Sequence, residues 1–120
     1  MSEAEILEIA NLHAQNAISC FAIYVSFTFA FLSAAYLAGA KLSSSQVVIA
    51  IGMYLVSVTA PGVSLIVHTE SLQRLVVQSE LLDSIRLWNI PWSSYLAVVM
   101  SLGVIASLYF IWDVRRTKEN

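Results

Sequence analysis

Three long stretches of this chain contain no Asp, Glu, Lys or Arg, and they constrain its fold more than any other feature. They run from Ile9 to Ala40, from Leu42 to Thr69 and from Leu87 to Trp112. Each exceeds the ~20 apolar residues that a helix needs to cross a bilayer. The hydrophobic fraction is 58%, whereas soluble domains have ~45–50%. The sequence therefore predicts an all-α membrane protein with three transmembrane helices.

The chain is predicted to form a single transmembrane domain, residues 1–120, with spans at about 16–39, 46–67 and 92–112. The third span follows Pro91, which a helix tolerates in its first turn. It has Trp92 at one end and Trp112 at the other, as expected for rings at the two water interfaces. The predicted extramembrane segments are 1–15, 68–91 and 113–120.

Two of these segments are predicted to be helical in whole or in part. Ser2 and Glu5 match the S-x-x-E pattern of a capping box, so the first helix should begin there and extend beyond the bilayer. In segment 68–91 the helical phase of the apolar residues slips near Gln78 and Ser79. This segment is expected either to continue the second helix and then break before a short interfacial helix, or to form one helix contacted on both sides.

Small side chains recur every fourth position in the first and third spans, a pattern that lets helix backbones approach closely in lipid. Aromatic residues of the first span, including Phe27, occupy a different strip. The small-residue positions predict a helix-packing interface formed by Ala22, Ser26, Ala30, Ala34 and Ala38 of the first span and by Ser93, Ala97, Ser101, Gly103 and Ser107 of the third.

The second span is predicted to bend at Pro61 and Gly62, because proline removes one helical hydrogen bond. Ser57 and Thr59 are the nearby side chains that could compensate. A static packing bend and a functional hinge both fit this pattern. The short connection after Lys41 makes the first two helices antiparallel neighbours, with a serine capping the second.

Positive charge predicts the orientation of the chain. A cytoplasmic C-terminus puts four of the six Lys and Arg residues inside and leaves Arg74 and Arg86 outside, in agreement with the positive-inside rule. The N-terminus is then external. The expected location is the bacterial inner membrane, as a multi-pass protein. The four internal residues are Lys41, Arg115, Arg116 and Lys118.

Several kinds of chemistry are disfavoured. The net charge of −2 offers no basic surface for nucleic acid. The spans lack central ionisable residues, which argues against active transport, and no catalytic motif points to an enzyme. Near the outer ends of the first two helices lie His13, Cys20, His68 and Glu70, but without a metal-ligand spacing, so neither a metal nor another cofactor is expected.

The layout of three spans, an external N-terminus and a short charged tail resembles one class of phage holins in topology. The sequence favours a protein that acts by lateral helix packing in membrane lipid, as a homo-oligomer or with other membrane subunits. The alternative is an oligomeric pore or a holin-like permeability factor. A pore would need a polar stripe, for which the candidates are Ser26, Thr28 and Ser33, or Ser94, Ser101 and Ser107.

Overall fold

A computed structural model describes residues 2–78 and 91–119. They form three α-helices: α1 (Glu3–Ala38), α2 (Ser44–Gln78) and α3 (Trp92–Glu119). Each helix contains a stretch that is long and apolar enough to cross a membrane. The predicted fold class, an all-α membrane protein with three such helices, is confirmed.

Side chains at the helix starts satisfy the free backbone N–H groups. The Ser2 hydroxyl accepts from the Glu5 N–H, and the Glu5 carboxylate accepts from the Ser2 N–H at 2.7 Å, which confirms the predicted capping box. At the start of α2, Ser43 and Gln46 make the same reciprocal pair. The prediction that a serine caps α2 is therefore also confirmed.

The helices α1 and α2 form an antiparallel hairpin and share the most extensive contact in the bundle. They contain 36 and 35 residues, so at ~1.5 Å per residue each is just over 50 Å long. This length exceeds the ~30 Å of a bilayer's hydrocarbon core. Phe31 stacks on Tyr54 in one half of the hairpin, and His13 meets His68 towards the end away from the connecting loop.

The contact between His13 and His68 shows that α1 and α2 remain paired beyond the predicted spans. Residues 3–15 and 68–78, which lie outside the predicted spans, run side by side, and we call this pair of segments the stalk. Its inner side includes half-buried Ile6 and Ile9 and buried Val76. The helix α2 thus continues past the predicted span. This agrees with the first alternative for segment 68–91, in which the second helix continues before it breaks. The predicted break and interfacial helix fall on residues 79–90, outside the described residues.

The helix α3 packs across the hairpin and completes the core. Phe31 and Tyr54 stack with ring centroids 4.3 Å apart, and Met100 and Ile111 bring α3 into the same cluster. Many large apolar side chains, such as Phe29 and Val56, point outward instead. In a bilayer these side chains face lipid, so the core does not need to contain them.

Arg115 joins the C-terminal part of α3 to the α1–α2 loop. Its guanidinium donates to the carbonyl oxygens of Gly39, at 3.3 Å, and Leu42, at 2.8 Å. We call these two bonds the Arg115 latch. One turn of the loop therefore has its carbonyls satisfied by a distant helix. The latch also places the positive residues of the tail at the same end of the bundle as Lys41.

Candidate functional site

The small-residue row of α1 lies on the outside of the bundle. Ala22 and Ser26 are each two residues from buried Tyr24, so they lie ~160° from it around the helix. Ala30 and Ala34 are also exposed, and only Ala38 is half-buried. All of the row except Ala38 is thus exposed, and its predicted role in contact with another molecule stays a prediction.

The face of α1 that packs within the chain is the aromatic strip. Tyr24 and Phe31 are buried, whereas Phe21 and Phe27 remain exposed at its edge. The Tyr24 hydroxyl donates to the Met100 carbonyl oxygen of α3 at 2.8 Å. The sequence shows the strip but gives no sign that it faces inward, because in lipid an aromatic side chain is equally acceptable on either face.

A chain of hydroxyl groups connects all three helices inside the bundle. The Thr28 hydroxyl lies 3.1 Å from the Tyr54 hydroxyl, which donates to Ser107 Oγ at 3.4 Å. Ser107 in turn donates to the Gly103 carbonyl oxygen at 2.7 Å. No buried side-chain N or O atom of the described residues lacks a partner. We call Thr28, Tyr54 and Ser107 the hydroxyl chain.

Sequence reasoning missed Tyr54 altogether and treated Thr28 only as a possible pore residue, whereas Ser107 was predicted both as a packing residue and as a pore candidate. A signal was available, since tyrosines of membrane helices concentrate at the two interfaces, whereas Tyr24 and Tyr54 lie well inside their spans. A phenol at that depth needs a hydrogen-bonding partner, and such a partner has to come from another helix or from water.

The predicted interface residues of α3 differ in how far they are buried within the chain. Gly103 and Ser107 contact the rest of the chain: Gly103 lies against the Tyr24 hydroxyl, and Ser107 is buried in the hydroxyl chain. Ser93 and Ala97 are half-buried. Ser101 is exposed and donates to the Ala97 carbonyl oxygen of its own helix at 2.7 Å.

The helix α2 continues through Pro61 and Gly62, and a bend at these residues stays a prediction. Thr59, one of the two candidate compensating side chains, donates to the Leu55 carbonyl oxygen at 2.6 Å. Gly62 is buried against α3, where an added Cβ would lie 2.9 Å from Met100 Cε. A side chain at position 62 would therefore require the Met100 side chain to shift.

An open groove of about 370 Å³ runs along the surface between α2 and α3. Gly62 and Met100 lie in its lining, together with Ala97 and Ser101 of the predicted α3 interface. The lining is almost wholly apolar. The groove lies within the predicted membrane-spanning part of both helices.

The structure brings together two of the residues first considered as metal ligands. His13 Nδ1 and His68 Nδ1 are 3.0 Å apart, and the two ring centroids are separated by 5.3 Å. Cys20 packs against the core of the bundle, and Glu70 is exposed. Within residues 2–78 and 91–119, no group of three or more His, Cys, Asp or Glu side chains could hold a metal ion.

No protein-family model, curated protein or solved structure matched this chain. Its function therefore has to be argued from its own residues. Two of the surfaces that the described residues leave open are the small-residue row of α1 and the groove between α2 and α3.

Proposed function

We propose that this chain acts through lateral helix packing in the membrane, as a homo-oligomer or as an accessory subunit of a membrane complex. The observation that carries the proposal is the exposed small-residue row of α1. The chain's own core uses aromatic side chains of α1, so the row is not needed to hold the three helices together. Small side chains on an outer face permit a second helix to come close.

The low burial of α1 supports the same proposal. In the most apolar 18 residues of α1, 6% are buried within the chain, compared with 22% in the corresponding part of α2 and 17% in that of α3. Most of α1 is thus available to lipid or to another protein. Since lipid contact does not require small residues, the regular row beginning at Ala22 favours a protein partner.

The positions of the hydroxyl groups favour packing over a pore. Thr28 and Ser107 are used between helices, as expected of a packing protein. The exposed Ser26 and Ser101 each donate to a carbonyl of the preceding turn, so their hydroxyl groups need no water. An oligomeric pore or holin-like factor remains the alternative, supported by the exposed positions of Ser26, Ser94 and Ser101. Conductance of the protein in planar bilayers separates the two.

A multi-pass location in the bacterial inner membrane, with the C-terminus in the cytoplasm, accompanies this proposal. The Arg115 latch supports one part of it, because it brings the charged tail and Lys41 to the same end of the bundle. The positive-inside rule then assigns that end to the cytoplasm. A catalytic role is not proposed, and neither is nucleic-acid binding.

The decisive experiment is the mass of the purified complex in mild detergent or nanodiscs, for the wild type and for Ala30→Leu. After the mass of bound detergent or lipid is subtracted, a protein mass of two or more whole multiples of 13.2 kDa indicates a homo-oligomer, 13.2 kDa itself a monomer, and any other mass a partner subunit. Ala30 is exposed, so leucine leaves the fold of the single chain intact. In a packed contact the added bulk should cost about 1–3 kcal/mol, by analogy with overpacked cores. The complex should then dissociate about 5- to 150-fold more readily.

Two variants control for bulk and for hydrophobicity. Ala106→Leu makes the same change at an exposed position of α3, and Phe27→Leu alters the aromatic strip of α1. Both should leave the mass of the complex unchanged. The proposal fails if Ala30→Leu assembles as well as the wild type, or if the wild type is a monomer with no partner in native membranes.

A further inference from the structure

The contact between His13 and His68 limits how many protons the two rings can hold. Their Nδ1 atoms are 3.0 Å apart, which is a hydrogen-bond distance between nitrogens. One Nδ1 must carry a proton and the other must accept it. If both rings are imidazolium, both Nδ1 atoms are donors and no bond can form. The contact therefore exists only while at most one of the two rings is charged.

This pair lies at the base of the stalk, where it joins residues 55 positions apart in the chain. Above it, towards the N-terminus of α1, Ile6 and Ile9 are half-buried and Val76 is buried. Separation of two like charges at the base would therefore act where α1 and α2 meet beyond the predicted spans.

Among the described residues the polar partner of each histidine ring is the other histidine, and no carboxylate is bonded to either ring. On α2, Glu70 and Arg74 are exposed, on α1 Glu8 is exposed, and α3 begins with the uncharged residues Trp92 to Tyr95. Glu80, Asp83 and Arg86 fall outside the described residues. The positions one helical turn from either histidine are all uncharged: Ile9, Ala10, Asn16 and Ala17 on α1, and Ser64, Leu65, Ser71 and Leu72 on α2.

We propose that His13 and His68 form a proton-sensitive clasp, which holds the two segments of the stalk together and releases them when both rings are charged. The direction of the pH dependence follows from the number of protons that each form binds. The open form binds one more proton than the closed form, so falling pH favours opening. While that difference of one proton persists, each pH unit changes the ratio of open to closed stalk by about tenfold. This role is independent of the proposed oligomerisation.

The test measures the distance across the stalk in the full chain. Spin labels are attached at Leu7→Cys and Val77→Cys, both exposed, in a Cys20→Ala background, and the protein is placed in nanodiscs. Distance distributions are recorded between pH 8 and pH 5, the range around which imidazole side chains titrate. A single short distance at pH 8 should give way to a longer population as the pH falls. A second pair at Phe29→Cys and Met53→Cys, in the spanning part, should not change.

His13→Asn provides the matched variant. The amide oxygen of asparagine can accept a hydrogen bond from His68 in either protonation state, so the stalk should stay closed at pH 5. His68→Asn is the reciprocal change and should have the same effect. The proposal is overturned if the wild-type distance is the same at both ends of the pH range. It is equally overturned if the asparagine variants open as the wild type does.

Discussion

Gly103→Ala should destabilise the bundle although alanine is a better helix former than glycine. An added Cβ at this position would collide with the Tyr24 hydroxyl and lie 3.6 Å from Tyr24 Cζ. The Tyr24 ring cannot simply turn away, because its hydroxyl is bonded to the Met100 carbonyl oxygen at 2.8 Å. Either this hydrogen bond breaks or α3 moves away from α1.

The magnitude is obtained by comparison with Gly52→Ala. An added Cβ at Gly52 meets nothing within 4 Å, so this change should give only the ordinary helical gain of about 0.5–1 kcal/mol. The same gain applies at Gly103 and cancels when the two variants are compared. What remains is the overpacking cost at Gly103, which is about 1–3 kcal/mol in well-packed interiors.

The free energy of unfolding can be measured by titrating a mild detergent with dodecyl sulfate and following helicity. The double variant Gly103→Ala with Tyr24→Phe tests the cause, since removal of the hydroxyl makes room for the new methyl group. Recovery of about 0.5–3 kcal/mol relative to the sum of the single changes is expected for a direct contact. Equal stability of the Gly103→Ala and Gly52→Ala variants, or a double variant with no recovery, would refute the reasoning.

Tyr54→Phe keeps the stack on Phe31 and removes the hydroxyl that joins Thr28 to Ser107. The free energy of unfolding should fall by about 1 kcal/mol, because interhelical hydrogen bonds in membranes average ~0.6 kcal/mol each. A fall as large as that for Tyr54→Ala in the same titration would contradict this. Reporters that are active on only one side of the membrane, fused to each end of the chain, should place the C-terminus in the cytoplasm and the N-terminus outside. The reverse result would reject the proposed orientation. The backbone N–H and then the hydroxyl of Ser2 lower the pKa of Glu5. The cap therefore stabilises α1 at neutral pH and is lost as the pH falls through that lowered pKa; NMR titration should give Glu5 a higher pKa in Ser2→Ala, and an unchanged value would contradict the cap.

The number and approximate position of the helices could be predicted because a bilayer imposes a minimum apolar length on every span. The same holds for the first turns of α1 and α2, where the capping residues are close in sequence. These features depend on local sequence patterns and on the high free-energy cost of placing a charged side chain in the hydrocarbon core of a bilayer. Little knowledge of tertiary contacts is needed to read them.

The direction in which each helix faces could not be predicted from these patterns. In water an apolar stripe marks the buried side, but in lipid both sides of a span are apolar. The sequence therefore predicted contact on the small-residue row of α1, whereas the aromatic strip contains Tyr24 and Phe31 of the core. The pairing of His13 with His68 depends on the register of a hairpin over 55 positions, which no local pattern specifies.

The Arg115 latch sets an order for building the bundle. Arg115 follows Leu42 by 73 positions, so at 5–20 residues per second it is synthesised roughly 4–15 s later. A hairpin formed within that interval lacks both bonds of the latch, so the extensive contact between α1 and α2 alone would have to hold it together. The bonds from Arg115 to the loop can form only after most of α3 has been synthesised.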